Sequence, residues 1–174
     1  MSAATAAEAW ELLADVPDPE VPVVSVVDLG IVRDVTVDAD ARGVRVDITP
    51  TYSGCPAMQV IIDDVAARLR ERFERVDVRV VLSPPWTTDW MTEAARQRLA
   101  AFGIAPPRRA DLAAGRRLLP LSVTGDGAPA GRPEACPRCG SGDVELVSQF
   151  GSTACKAMYR CRGCAEPFDY FKAH

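Results

Sequence analysis

The chain has 174 residues, 48% of them hydrophobic and 25% charged, a composition that supports a buried core and argues against disorder. The net charge of −4 conceals an acidic first half, since residues 1–80 carry −7 and residues 81–174 carry +3. No apolar run approaches the roughly 20 residues of a membrane helix, and the first residues lack the features of a secretory signal, so we expect a cytoplasmic protein without membrane contact. The only histidine is His174, where the chain end orients an imidazole poorly, so histidine-based catalysis and histidine metal sites are disfavoured.

Hydrophobic periodicity over the first 105 residues predicts the order α-β-β-α-β-α. Apolar residues at helical spacing predict helices, and strictly alternating runs around a turn-prone segment predict a β-hairpin. The predicted elements are, in chain order, a helix over 3–14, a hairpin that turns at 38–43, a helix over 57–74, a strand over 76–82 and a helix over 88–102. We therefore expect an α/β (α+β) fold in which a small mixed sheet packs against helices.

The composition changes after residue 105, which suggests three parts. Residues 1–105 form the first predicted domain, and residues 106–133, rich in Pro, Gly and paired Arg, form a linker with a possible short strand at 118–123. The last part, residues 134–174, holds five of the six cysteines in 41 residues. Such a short segment folds poorly on apolar burial alone, so we expect a bound metal to stabilise it.

Four of these cysteines form two CxxC units with the spacing of a zinc ribbon. The units are Cys136-Pro-Arg-Cys139 and Cys161-Arg-Gly-Cys164, separated by 21 residues. Two intervening residues allow a tight turn to direct both thiolates at one tetrahedral ion, so we expect a four-cysteine zinc-ribbon-like module with a structural zinc. The same four thiolates would also bind iron or an iron-sulfur cluster, because cysteines alone do not choose the metal.

Each of the two remaining cysteines is compatible with more than one role. Cys155 has no mate in the tetrad, and a buried apolar residue, an additional metal ligand and a reactive thiol all remain open. Cys55 precedes the predicted second helix, with Pro56 expected at the first helical position. The positive end of a helix dipole stabilises a thiolate, which favours a nucleophile or a soft-metal ligand, whereas the alternative is a small buried residue in a turn.

The segment from Asp18 to Pro22 contains two carboxylates between prolines. Asp18 or Glu20 would be a polar partner for a thiol or metal if the segment folded back against the Cys55 loop. The alternative is a proline-rich turn with solvated acids. Spacing in the sequence does not decide between the two.

Two stretches carry a resemblance to known families. Asp18-Pro-Glu-Val-Pro, followed by Thr49-Pro-Thr-Tyr-Ser-Gly-Cys55-Pro, resembles the SufT-like domain of iron-sulfur cluster assembly over residues 8–105. With Phe150-Gly-Ser-Thr-Ala-Cys-Lys156 and Glu166-Pro-Phe-Asp-Tyr-Phe-Lys172, the whole chain resembles the PaaD (PaaJ) family, accessory subunits of the phenylacetyl-CoA 1,2-epoxidase of aerobic phenylacetate degradation.

The resemblance implies an accessory, non-enzymatic role in maturing iron-sulfur or iron centres. Cys55 would be the functional cysteine and Asp18 the acid of the same signature, handling iron or a cluster transiently. The implied partners are the oxygenase and reductase subunits of the epoxidase and the iron-sulfur assembly machinery. An alternative is an electron-transfer subunit with iron at the four-cysteine site. Nucleic-acid binding is not expected, because residues 134–174 hold five acidic and five basic residues.

Overall fold

A computed structural model describes residues 4–52, 54–107 and 131–172. The chain divides into two compact units, with the boundary in sequence between Ala95 and Arg96. We call these unit 1 and unit 2. None of the helices in the described residues is long and apolar enough to cross a membrane.

Unit 1 is a three-stranded sheet with helices packed against it. Its elements are α1 (Ala6–Ala14), β1 (Val32–Val37), β2 (Gly43–Ile48), α2 (Met58–Leu69), β3 (Arg75–Val80) and a single 3₁₀ turn at Thr88–Trp90. Helix α1 begins with a capping box, in which Thr5 and Glu8 each bond the other's backbone N–H. The predicted α-β-β-α-β order and the mixed fold class are confirmed.

The sheet order β1-β2-β3 combines one antiparallel and one parallel pair. Strands β1 and β2 form the predicted hairpin, and Asp38 N–H donates to the Gly43 carbonyl at 2.8 Å across its turn. Strand β3 runs parallel to β2, because α2 carries the chain back to the start of the sheet. The carboxyl ends of β2 and β3 therefore lie at the same edge.

Helix α2 is shorter than predicted and ends at Leu69 instead of residue 74. Beyond it, the Arg72 and Phe73 N–H groups still donate to the Leu69 carbonyl, so the chain leaves the helix through a turn. Phe73 is 2% exposed and keeps the buried place that the helical spacing assigned to it. The periodic pattern therefore identified the buried residues but not the end of the helix.

Unit 2 contains most of α3 (Glu93–Phe102) and a four-stranded sheet in the order β4-β7-β6-β5. Its strands are β4 (Ile104–Ala105), β5 (Val144–Ser148), β6 (Lys156–Cys161) and β7 (Pro167–Phe171). The predicted first domain ended at residue 105, but β4 pairs in parallel with β7, which places this strand in the ribbon sheet. The strand predicted at 118–123, with most of the predicted linker, lies outside the described residues.

Candidate functional site

The structure brings four cysteine sulfurs together at one end of the ribbon sheet. Cys136, Cys139, Cys161 and Cys164 have sulfur atoms within 4.8 Å of one another. Cys136 to Cys139 lie in a turn before β5, and Cys161 to Cys164 form the turn between β6 and β7. Among the residues that the structure describes, this is the only group of three or more candidate ligands of the Cys, His, Asp and Glu types.

The sulfur separations fit a tetrahedral metal ion. The Sγ atoms of Cys136 and Cys164 are 3.8 Å apart, and those of Cys139 and Cys161 are 3.5 Å apart. A zinc ion with bonds of about 2.3 Å to four sulfurs in a tetrahedron separates them by about 3.8 Å. None of the six cysteines forms a disulfide. Four sulfurs at these separations are placed to bind a tetrahedral metal ion.

Both turns adopt the conformation that this geometry requires. Gly140 N–H donates to the Cys136 carbonyl at 2.9 Å, and its φ of +76° is easily adopted by glycine. The second turn places Ala165 at the equivalent position with φ +63°, where an L side chain is strained. The two turns approach closely at Gly163, where an added Cβ would lie 3.0 Å from the Ser141 side chain.

The crowded thiols of the tetrad differ in pKa. The pKa of Cys161 is lowered to about 7, chiefly by a hydrogen bond from the Cys164 backbone N–H. The pKa of Cys139 is raised to about 12. Its largest single influence, a hydrogen bond from the Ser141 backbone N–H, lowers it, but hydrogen bonds among the crowded thiols outweigh this effect. Without a metal ion, Cys139 therefore keeps its proton at neutral pH, and a bound cation would favour its thiolate.

The metal site and the hydrophobic core of unit 2 share residues. Cys136 and Cys161 are 2% and 0% exposed and belong to the same buried cluster as three aromatic side chains. Tyr159 stacks on Phe168 with ring centroids 6.1 Å apart and meets Tyr170 edge-on at 5.7 Å. The packing of the sheet thus holds two of the four cysteines, Cys136 and Cys161, whereas Cys139 is exposed.

Cys155 lies outside this group. It precedes β6 and Cys161 ends it, so about six residues of extended strand, roughly 20 Å, separate the two cysteines. The structure therefore does not bring Cys155 into a site with the tetrad, contrary to the additional-ligand hypothesis. Cys155 is 5% exposed, and its sulfur lies 3.0 Å from the Thr153 hydroxyl.

Sequence reasoning missed the buried lysine beside Cys155. Lys156 is 3% exposed, and its Nζ lies 3.9 Å from the Asp169 carboxylate, which also accepts a hydrogen bond from the Ser152 hydroxyl. These contacts join the turn before β6 to β7. An alternating strand pattern gives no signal for such a residue, because a lysine at the start of a strand is normally exposed.

Cys55 lies in the loop between β2 and α2, at the edge where the parallel strands end. Its N–H donates to the Tyr52 carbonyl, and its own carbonyl accepts from Met58 N–H at 3.4 Å. Pro56 is not the first helical residue, because α2 starts at Met58 with Ala57 as a cap that supplies no side-chain hydrogen bond. Cys55 is half-buried, so the side chain retains contact with solvent.

Asp18 is buried and orders its own loop. Its Oδ1 accepts hydrogen bonds from the N–H groups of Glu20 and Val21 at 2.9 and 2.8 Å. The solvated-turn alternative for Asp18 is therefore wrong, since only 7% of the residue is exposed. No group of three candidate ligands among the described residues includes Asp18 or Cys55.

A mixed unit with a loop cysteine is followed by a sheet with four clustered sulfurs. This combination defines a class of proteins in which an iron-sulfur assembly domain is joined to a zinc ribbon. Residues 6–82 match the family model of the iron-sulfur cluster assembly protein, and residues 123–172 match the PaaD zinc beta ribbon domain. The chain belongs to the PaaD family, because it is 48% identical over 166 residues to a putative 1,2-phenylacetyl-CoA epoxidase subunit of Escherichia coli, covering 95% of this chain and 91% of that one.

Other relatives resemble the first half only. The Fe-S protein maturation auxiliary factor SufT of Staphylococcus aureus is 42% identical, with 45% of this chain and 90% of that one covered. The crystal structure of a domain of unknown function, DUF59, from Bacillus anthracis matches with 33% identity and a TM-score of 0.51, over 54% of this chain and 90% of that one. The chain is thus related to accessory proteins of iron-sulfur chemistry.

Proposed function

We propose that this protein is a non-catalytic accessory factor that assists the maturation of iron-sulfur or iron centres in a phenylacetyl-CoA epoxidase. The iron or cluster is its cargo, and Cys55 is the residue that binds it. The observation that carries the proposal is the separation of two kinds of cysteine, a half-buried thiol in a surface loop and four thiols in a closed tetrad. The partners would be the oxygenase and reductase subunits and the iron-sulfur assembly machinery, in the cytoplasm.

The Cys55 loop has the features of a transient metal ligand. Backbone hydrogen bonds on both sides fix the position of Cys55, and the residue as a whole is half-buried. Helix α2 begins at Met58, three residues after Cys55. A single thiolate holds a soft metal weakly enough to release it, whereas four thiolates hold it firmly.

Asp18 would act on the same cargo through the loop that it orders. Its carboxylate fixes the backbone of residues 18–21, which belong to the same signature as Cys55. A buried carboxylate in this position supplies a negative charge and a hydrogen-bond acceptor. Asp18→Asn would keep the size of the side chain while removing the charge.

The tetrad would hold a structural zinc ion, which replaces part of the hydrophobic core that a short ribbon lacks. The sulfur separations fit zinc, and two of the four ligands are buried. Iron at the same thiolates would make the chain an electron-transfer subunit. Metal and acid-labile sulfide analysis of the anaerobically purified protein separates these functions, and we expect about one zinc per chain with no sulfide.

The test of the main proposal is the iron and sulfide content of the reductase purified from strains with altered cysteines. We expect Cys55→Ser to leave the reductase deficient in both iron and sulfide. Cys155→Ser is the matched control, because it removes another thiol outside the tetrad, and it should leave the reductase fully loaded. A fully loaded reductase in the Cys55→Ser strain would overturn the proposal.

A further inference from the structure

Unit 1 exposes few large hydrophobic side chains. In the described part of unit 1 there are three, Val60, Val80 and Leu82, with exposed fractions of 47%, 45% and 62%. We call these three residues the apolar rim. Scattered exposed apolar residues are ordinary on a protein surface, but a cluster next to a functional loop marks an interaction site.

The topology of unit 1 places the apolar rim beside the Cys55 loop. Val80 pairs in register with Ile48, the last residue before that loop, and Val81 N–H donates to the Ile48 carbonyl at 2.8 Å. Leu82 follows two residues later. Val60 lies in the first turn of α2, which begins three residues after Cys55 and packs against β3. All three rim residues therefore lie at the edge of the sheet that carries Cys55.

Burial falls sharply between the neighbouring strands at this edge. On β2, Val46 and Ile48 are both fully buried. On β3, which pairs with it, Val78 is half-buried and Val80 is 45% exposed. Within unit 1 the last strand of the sheet is therefore incompletely covered, and the exposed part ends next to the loop cysteine.

The charge of unit 1 indicates what kind of molecule would complement this surface. Residues 1–95 contain 17 acidic and 8 basic residues, a net charge of −9. Asp63 and Asp64 are exposed one helical turn after Val60, and neither forms an ion pair with any residue that the structure describes. A partner with basic residues beside an apolar side chain complements this surface, and the opposite charges would accelerate its approach.

We propose that the apolar rim, with Asp63 and Asp64, is the docking surface for the apoprotein that exchanges metal with Cys55. The docking segment carries an apolar side chain flanked by Lys or Arg. This inference rests on the proposed function, since the cargo gives the partner its reason to approach Cys55. The docking contact and the metal ligand are nevertheless different residues, so each can be removed without the other.

The experiment measures binding of the full chain to the apo form of the epoxidase reductase by titration calorimetry. Leu82→Glu adds a like charge at a residue outside any helix or strand, and we expect binding at least tenfold weaker. Leu146→Glu, which alters a 38% exposed leucine of unit 2, is the control and should bind like the wild type. Cys55→Ser should also bind like the wild type.

A second variant tests the electrostatic part. We expect Asp63→Asn combined with Asp64→Asn to weaken binding and to flatten its dependence on salt concentration, because two of the attracting charges are gone. Both residues are exposed on α2, so the variant should fold like the wild type. An unchanged salt dependence would overturn the assignment of a basic partner.

The outcomes separate docking from metal transfer. Equal binding by the wild type and Leu82→Glu, with a transfer defect in Cys55→Ser alone, would overturn the docking surface and leave the proposed function intact. A wild-type chain that neither binds the reductase nor restores its iron would overturn both. If light scattering instead shows a dimer that Leu82→Glu converts to a monomer, the apolar rim is a self-association surface and the proposal is wrong.

Discussion

The two units differ in whether their cysteines belong to the hydrophobic core. In unit 1, large apolar side chains such as Ile48, Ile61 and Leu69 are fully buried, and Cys55 lies apart from them in a surface loop. In unit 2, Cys136 and Cys161 are themselves members of the buried cluster. On the proposed function, unit 1 would use its cysteine for chemistry while its core stays intact. Unit 2 would use its cysteines to hold a structural metal ion, and its fold would depend on that ion.

Removing the metal from unit 2 should have the largest effect on folding of all the changes considered. It is therefore the strongest test of the contrast between the two units. Structural zinc contributes about 10–16 kcal/mol in small metal-dependent peptides, so loss of one buried ligand in Cys161→Ser should unfold the ribbon. We expect hydrogen exchange to show lost protection in β5 to β7 and retained protection in unit 1. Cys155→Ser is the control and should keep its metal. Protection of β6 without metal would show that the aromatic cluster alone suffices.

A core substitution in unit 1 should produce the reciprocal result. Leu69 is 0% exposed, so Leu69→Ala should reduce the free energy of unfolding of unit 1 by about 2–5 kcal/mol without changing the zinc content. All three tryptophans lie before residue 96, so tryptophan fluorescence in a urea titration reports on unit 1. Val60→Ala, on the exposed face of the same helix, should cost about 0.5 kcal/mol or less. Zinc loss in Leu69→Ala would contradict the contrast, because it would make metal binding in unit 2 depend on the core of unit 1.

The pH dependence of metal binding sharpens the contrast at the tetrad. Because the pKa of Cys139 is raised to about 12, this thiol keeps its proton at neutral pH when no metal is bound, and metal binding must displace it. Zinc affinity should therefore rise with pH, by roughly tenfold per pH unit for each proton released. Competition with a chelator between pH 6 and 8 measures this slope. An affinity independent of pH would mean that the thiols are already ionised.

The smallest predicted effect concerns the two turns that hold the sulfurs. Ala165 has φ +63° and Gly140 has φ +76°, with no atom within 4 Å of a Cβ added to Gly140. Ala165→Gly should stabilise the metal-loaded ribbon by about 1 kcal/mol, and Gly140→Ala should destabilise it by about as much, because only backbone strain changes. Thermal unfolding of the zinc-loaded chain measures both shifts. Shifts of the same sign would show that something other than backbone strain decides them.

The sequence predicted elements whose residues determine their own conformation or burial. Alternating valines specified the hairpin, and helical spacing specified the buried face of α2, including Phe73. The tetrad was also predictable, because a tight turn limits the spacing of two ligands. The end of α2 was not predictable, since its last turn contains no glycine or proline and the chain leaves the helix through backbone hydrogen bonds at Leu69.

Contacts between distant segments could not be predicted from one sequence. Nothing in the six residues of β3 distinguishes a parallel from an antiparallel neighbour. The pairing of Ile104 with Asp169 joins a two-residue strand to a segment far away in the chain. The position of Pro56 was also misjudged, because proline suits either the first helical residue or the turn before it. The composition of a segment limits such choices, but tertiary packing decides them.

The position of β4 in the four-stranded sheet of unit 2 determines which fragment of the chain can form that sheet completely. A fragment that begins at residue 134 contains every tetrad cysteine but lacks β4, and the backbone of Asp169 and Tyr170 then becomes an open edge. Such an edge invites association with other chains. The folding unit that contains the ribbon therefore extends beyond its first and last cysteines. A segment that recombination could transfer with a complete sheet begins near α3.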